Sequence, residues 1–309
     1  MERVSGYYLG REVMIKRVNR IAIELPMPKH GDMKAAAAVQ DLMGGKFGEM
    51  STLNNYMFQS FNFRDRKNFK PFYDIIASIT AEEFGHVELV ATAINLLSYG
   101  NTFPGDPDIA PLQNGKHSNY PLHFVNTAQT AYPGDAMGRP WNGEYVNNSG
   151  NLVSDLLANY LLEIGARTHK MRVYEMTDHP VAREMIGYLL VRGGTHIIAY
   201  AKALEVATGV EVGKMLPVPD LSNNKFDHAK KFMDQGLYNV LYTWGEKEYL
   251  DMKQIWKGPN PETGEPLIVI DGMPKGAPPP DLPALPEEFA PGIDRDDYER
   301  ILKRLKSNM

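Results

Sequence analysis

Residues 75–97 read IIASITAEEFGHVELVATAINLL, and the spacing within them decides the fold class. Ile76, Ile79, Glu83, His86, Val87, Val90, Ile94 and Leu97 recur at steps of three and four, the period that lines one face of an α-helix. Glu83 and His86 therefore share the apolar stripe, where a carboxylate and an imidazole are costly unless paired. Three residues apart on a helix, they stand over one turn. A metal pair could use that placement, with the imidazole holding one ion while the carboxylate reaches a second.

The same pattern recurs on either side. Leu42, Gly45, Glu49, Leu53 and Tyr56 form a stripe, as do Leu152, Leu156, Tyr160, Glu163, Ala166 and Lys170, and then Met185, Leu189, Gly193, His196, Tyr200 and Ala203. The spacing predicts a first helix from Asp32, as N-cap, to about Phe63, and a second from about Asn68 to Leu97. The short charged link between them favours an antiparallel hairpin. Residues 100–149, rich in Gly, Pro and Asn, form a long crossover. A third helix follows from near Asn151 to about Met176, and a fourth, entered through Pro180, runs to about Thr208. The expected architecture is all-α, a ferritin-like four-helix bundle over 32–209 with one long crossover.

Residues 1–31 are an extension containing the strand-like RIAIELPMP at 20–28. Residues 210–309 form a C-terminal extension and arm, expected to pack on neighbouring subunits. It holds a short helix near Lys225 to Gln235, a candidate strand IVID at 268–271 and a charged helix at 294–306. From Pro259 to Pro291 it is too proline-rich to be helical. Trp256 and Phe289 are the side chains such an arm would place on a neighbour, although a proline-rich tail can also stay disordered.

The chain has 309 residues, a net charge of -5 and no cysteine. It contains no apolar run long enough to cross a bilayer and no leader-like segment, so a cytoplasmic protein without nucleic-acid or membrane partners is expected. Without thiols, any metal must sit on oxygen and imidazole.

Glu49, Glu83, His86, Glu163 and His196 are the candidate metal ligands, since each helix turns at least one of them inward. A single inward Glu or His is usually a hydrogen-bonded core residue, but five at matched depth point to two ions. The halves look like two copies of one hairpin, with Gly193 standing where the first copy has Glu83. One carboxylate is thus missing, which leaves coordination positions open to water or substrate. Tyr56, two turns after Glu49, either donates to that carboxylate or fills space. Lys170, two turns after Glu163, either relays protons beside the site or reaches solvent. Glu82, Glu88 and His169 fall off the stripes and are assigned to solvated faces.

Along GGKFGEMSTLNNYMFQSFNF (44–63), TAEEFGHVELVATAINLL (80–97), PWNGEYVNNSGNLVSDLL (140–157) and the long stretch from Leu161 to Glu205, the chain resembles the manganese catalases. The likeness runs from about Ile21 to the proline-rich tail. Some members of that family have glutamate at the place of Gly193. Others have glycine there with a lysine at the place of Lys170, as here. The resemblance implies two manganese ions per chain that disproportionate hydrogen peroxide. Glu83 would then bridge, Glu49 and His86 would hold one ion, Glu163 and His196 the other, and Lys170 would assist proton transfer. It also implies a homo-hexamer with extended C-terminal arms. A di-iron oxidase or peroxidase of the same fold is the alternative, as is a non-enzymatic metal-binding protein that protects against oxidants.

Overall fold

The computed structural model describes residues 18–98, 130–216, 222–282 and 294–309. Among them, the helices α1 (Met33–Gly44), α2 (Glu49–Phe61), α3 (Lys70–Ser98), α4 (Leu152–Met176) and α5 (Pro180–Thr208) build the bundle. The Asp32 side chain caps α1 by accepting from the amides of Lys34 and Ala35, and Asn151 caps α4 by accepting from Ser154. Pro180 occupies the first turn of α5, where its missing N–H costs nothing.

Contacts between helices fix their directions. Glu49 faces His86 while Thr52 faces Glu83, so α2 and α3 run antiparallel. Glu163 meets His196 while Arg167 donates to the Leu190 carbonyl, so α4 and α5 do the same. The part of the crossover within the described residues lies across α1 and α2. Buried amides hold it there: Gln40 donates to the carbonyls of Tyr132 and Gly134, Asn55 to that of Tyr145, and Gln59 to that of Asn147.

The helix expected from Asp32 to Phe63 is in fact two. It breaks at Gly45–Gly48, where Gly45 and Gly48 are both extended. A Cβ on Gly45 would fall 2.7 Å from the Asp41 carbonyl, and one on Gly48 would fall 2.8 Å from the carbonyls of Leu42 and Met43. Only glycine tolerates this turn. Its consequence is that Glu49 opens α2, beside the unpaired amides and positive end of a helix.

After α5 the chain returns to the bundle. A short helix α6 (Asp227–Asp234) packs on α5, and β1 (Val240–Tyr242) pairs in parallel with β2 (Ile268–Ile270), Val240 opposite Ile268. The candidate strand at 268–271 thus exists, with a partner that is too short to show in the sequence. Trp256 does not serve a neighbour. It is buried in the same core as the helices, and its indole donates to the Ile268 carbonyl at 2.9 Å. Phe289 lies outside the described residues. The strand-like N-terminal segment contributes a single antiparallel bridge, Ile21 to Ala277. The charged helix at the C-terminus is α7 (Arg295–Ser307), which is exposed along its length. No helix among the described residues is long and apolar enough to cross a membrane.

Candidate metal centre

All five candidate ligands meet at the middle of the bundle, each fully buried. Glu49 enters from the first turn of α2, Glu83 and His86 from α3, Glu163 from α4 and His196 from α5. They form two groups, Glu49 with Glu83 and His86, and Glu83 with Glu163 and His196, in each of which one donor atom per residue lies within 4.8 Å of the others. Glu83 belongs to both. Its Oε2 is 3.3 Å from Nδ1 of His86 and its Oε1 is 2.9 Å from Nδ1 of His196. The imidazoles stack with centroids 5.6 Å apart.

Around these groups lies a polar layer. Thr52 donates to Glu83 Oε2 at 2.7 Å. The Tyr56 hydroxyl donates to Glu163 Oε1 at 2.8 Å, and Lys170 Nζ lies 2.7 Å from Glu49 Oε1. Neither alternative given for Tyr56, a bond to Glu49 or mere space filling, describes it, because its helix turns it across the centre to the opposite hairpin. Lys170 is buried, so the alternative in which it reaches solvent does not hold. A Cβ placed on Gly193 would meet only Glu163 Oε2 at 3.6 Å and Lys170 Nζ at 3.9 Å. The space beside Glu163 is open there.

The electrostatics call for cations. Both oxygens of Glu49 and Nδ1 of His86, which face the two groups, are buried without an aligned hydrogen bond, and so are the outward Nε2 atoms of both imidazoles. The Lys170 ammonium near Glu49 is an ion pair without that alignment. Burial opposes protonation of the imidazoles, but the surrounding carboxylates outweigh it. The charge of Glu83 and contacts with Glu49 and Glu82 hold His86 well above its ordinary value, and Glu82, Glu163 and Glu83 push His196 up to about 10. Burial would raise Glu83, yet the charge of His86 and the hydrogen bond of His196 hold it well below the usual carboxylate range. Buried carboxylates that hold protons on the imidazoles between them form a donor set suited to divalent ions, and two ions would take the place of those protons.

Of the three residues assigned to solvated faces, two are partly exposed and one is buried. Glu88 is half-buried, and His169 is tied to Asp41 at 2.7 Å. Glu82 is buried in an ion pair with Arg192, which sequence reasoning also missed. A signal for the pair existed. Glu83 aligns with Gly193 and His86 with His196, and one step earlier in that alignment Glu82 falls opposite Arg192.

A family model described as manganese containing catalase matches residues 14–309. The chain belongs to that family. The manganese catalase of Bacillus subtilis is 31% identical over 226 residues, covering 70% of this chain and 80% of that protein. An uncharacterized protein of the same organism, YjqC, is 35% identical over 176 residues. The match covers 55% of this chain and 61% of the length of YjqC. Among solved structures, the family's KatB, from Anabaena, superposes with a TM-score of 0.52 at 22% identity, covering 66% of this chain and 84% of that one. At that identity the likeness speaks to the fold, which is the ferritin-like bundle. Membership of the family implies a dimanganese centre, for which the two groups sharing Glu83 are the candidates.

Proposed function

We propose that the protein is a manganese catalase, converting two molecules of hydrogen peroxide into two of water and one of dioxygen. The observation that carries this reading is the pair of buried groups joined through Glu83. Glu83 would bridge two ions, with Glu49 and His86 on one and Glu163 and His196 on the other. Manganese bound there would supply the two electrons exchanged in each half-reaction, one per ion, without an external reductant.

The chain's own residues supply the rest. Thr52 fixes one oxygen of Glu83, and Tyr56 fixes one oxygen of Glu163, which limits how these carboxylates can swing. Lys170 is in ion-pair contact with Glu49. Burial opposes its charge, but Glu49, Glu163 and Glu83 raise its pKa above the ordinary lysine value. Its ammonium can therefore donate at Nζ toward the open space beside Gly193, where peroxide would sit. Burial of the whole cluster keeps bulk water away from the reacting oxygens.

The reading extends to a homo-hexamer. Phe58, Phe61, Phe84, Leu157 and Leu161 are exposed apolar side chains of the kind that self-association covers. Light scattering of the purified protein measures the assembly.

The test of function is metal content together with oxygen evolution. Protein from manganese-supplied cells should hold close to two manganese ions per chain and release oxygen from peroxide without reductant or heme. Peroxide consumption only in the presence of an electron donor would point to a peroxidase. A metal-free protein whose stability ignores chelators would overturn the metal assignment altogether.

A further inference from the structure

Each imidazole has two nitrogens, and only Nδ1 faces the shared carboxylates. The Nε2 atoms face the other way, and both meet one side chain. Glu82 Oε1 is 3.5 Å from Nε2 of His86, and Glu82 Oε2 is 3.3 Å from Nε2 of His196. On α3 this follows from helical spacing: Glu83 precedes His86 by three residues and Glu82 by four, so adjacent carboxylates reach opposite edges of one ring. On α5 the corresponding positions are Gly193 and Arg192, neither of which can accept from His196. Arg192 instead crosses to α3 and clamps Glu82 side-on, Nε to Oε1 and Nη2 to Oε2 at 2.9 Å.

The guanidinium is itself held. Its Nη1 donates to the carbonyls of Leu237 and Val240, the latter at 2.9 Å, and its plane lies 5.5 Å from the Tyr242 ring centroid. Those partners lie beyond the bundle, in the segment that leads into β1 and in β1 itself. Thr195, next to His196, also donates to the Tyr238 carbonyl at 3.2 Å. A buried ion pair used only to join two helices would not need a carboxylate oxygen on each of two imidazoles.

Resting on the metal reading above, we propose that Glu82 and Arg192 form a positioning pair. One carboxylate, aligned by a bidentate guanidinium, takes the outward Nε2–H of both imidazoles and turns both Nδ1 lone pairs toward the ions. Retention of the two ions then depends on one side chain and, through Arg192, on the main chain of residues 237–240. Outer partners of metal-bound imidazoles typically change metal affinity by about 10-fold to 100-fold. In this arrangement both ions weaken together.

The test uses the full-length protein loaded with manganese and titrated with a chelator, alongside low-temperature EPR of the manganese pair. Wild type is the reference; if it takes up no manganese, the metal reading itself fails. Glu82→Gln offers one accepting oxygen instead of two, and should weaken retention of both ions by about 10-fold to 100-fold and alter the EPR signal. Because it strands Arg192, it could also unfold the chain. The double variant Glu82→Leu with Arg192→Met guards against that outcome, since apolar replacement of a buried pair is often tolerated. It should keep its helical circular dichroism and still lose affinity at both sites. Arg192→Lys, which keeps the charge without the fork, should fall between wild type and the double variant. A folded double variant that holds both ions as wild type does would overturn the proposal, as would weakening of one ion alone. A double variant that does not fold would show the pair to be structural, which also overturns it.

Discussion

The hairpin of α2 and α3 gives the centre Glu49, Glu83 and His86, whereas that of α4 and α5 gives Glu163 and His196, with Gly193 where a second shared carboxylate would stand. The comparison continues outside the ligands. Tyr56 and Lys170 each follow their own hairpin's glutamate by two turns, and each serves the opposite one: Tyr56 bonds Glu163, and Lys170 pairs with Glu49. The first half is richer in carboxylates and receives a cation. The second, poorer in carboxylates, receives a neutral phenol. Each hairpin thus supplies the other's outer partner, an ammonium to Glu49 and a phenol to Glu163, and neither would make a complete site alone.

Substitutions can break that relation, and the largest effect belongs to the shared residue. Glu83→Ala should remove both ions and all oxygen evolution, because both groups lose a member; elemental analysis showing one ion retained would refute its bridging role. His196→Ala should leave the first group intact. A folded protein with about one manganese ion per chain is expected, since only one ion loses its imidazole. Two ions with normal turnover would exclude α5 from the site.

Lys170→Met should cut turnover by about 100-fold to 10,000-fold with manganese content nearly unchanged, the range for a lost proton donor. Full turnover would relegate the lysine to packing. Tyr56→Phe removes only a neutral hydrogen bond, and a loss of about tenfold is expected. A larger loss than for Lys170→Met would reverse the comparison between the two outer partners.

The smallest effect concerns the metal-free protein. His196 is raised to about 10 in the fold, and His86 is raised well above its ordinary value, against about 6.5 when unfolded. A raised imidazole pKa contributes stability that is complete below the unfolded value and is lost as pH climbs to the folded one. Melting temperature without metal should therefore fall between about pH 6.5 and 10. Manganese affinity should rise over the same interval, because each ion displaces a proton. A flat metal-free profile would show that the imidazoles are neutral.

The five inward residues that meet at the centre were legible because a bundle turns one stripe of each helix inward, and a polar residue on such a stripe stands out by period alone. The break at Gly45–Gly48 was not, since Gly45 also fits a helical stripe and only the close carbonyls show why the chain turns there. Glu82 was hidden because its burial depends on Arg192, which lies on a distant helix. The bond from Tyr56 to Glu163 was missed because periodicity tells which face a residue occupies but not how far its side chain reaches. The packing of Trp256 and the pairing of β1 with β2 rest on contacts between short irregular segments, for which spacing carries no signal.

The tight turn before Glu49 has a consequence for the history of the sequence. Gly48 offers no side chain to the centre, yet a single added methyl group would press on two carbonyls and displace the helix that carries Glu49. Among descendants of this gene that keep the first ion, replacements at Gly48 should be as rare as replacements of the glutamate beside it. A lineage that lost the metal would be free to accumulate them.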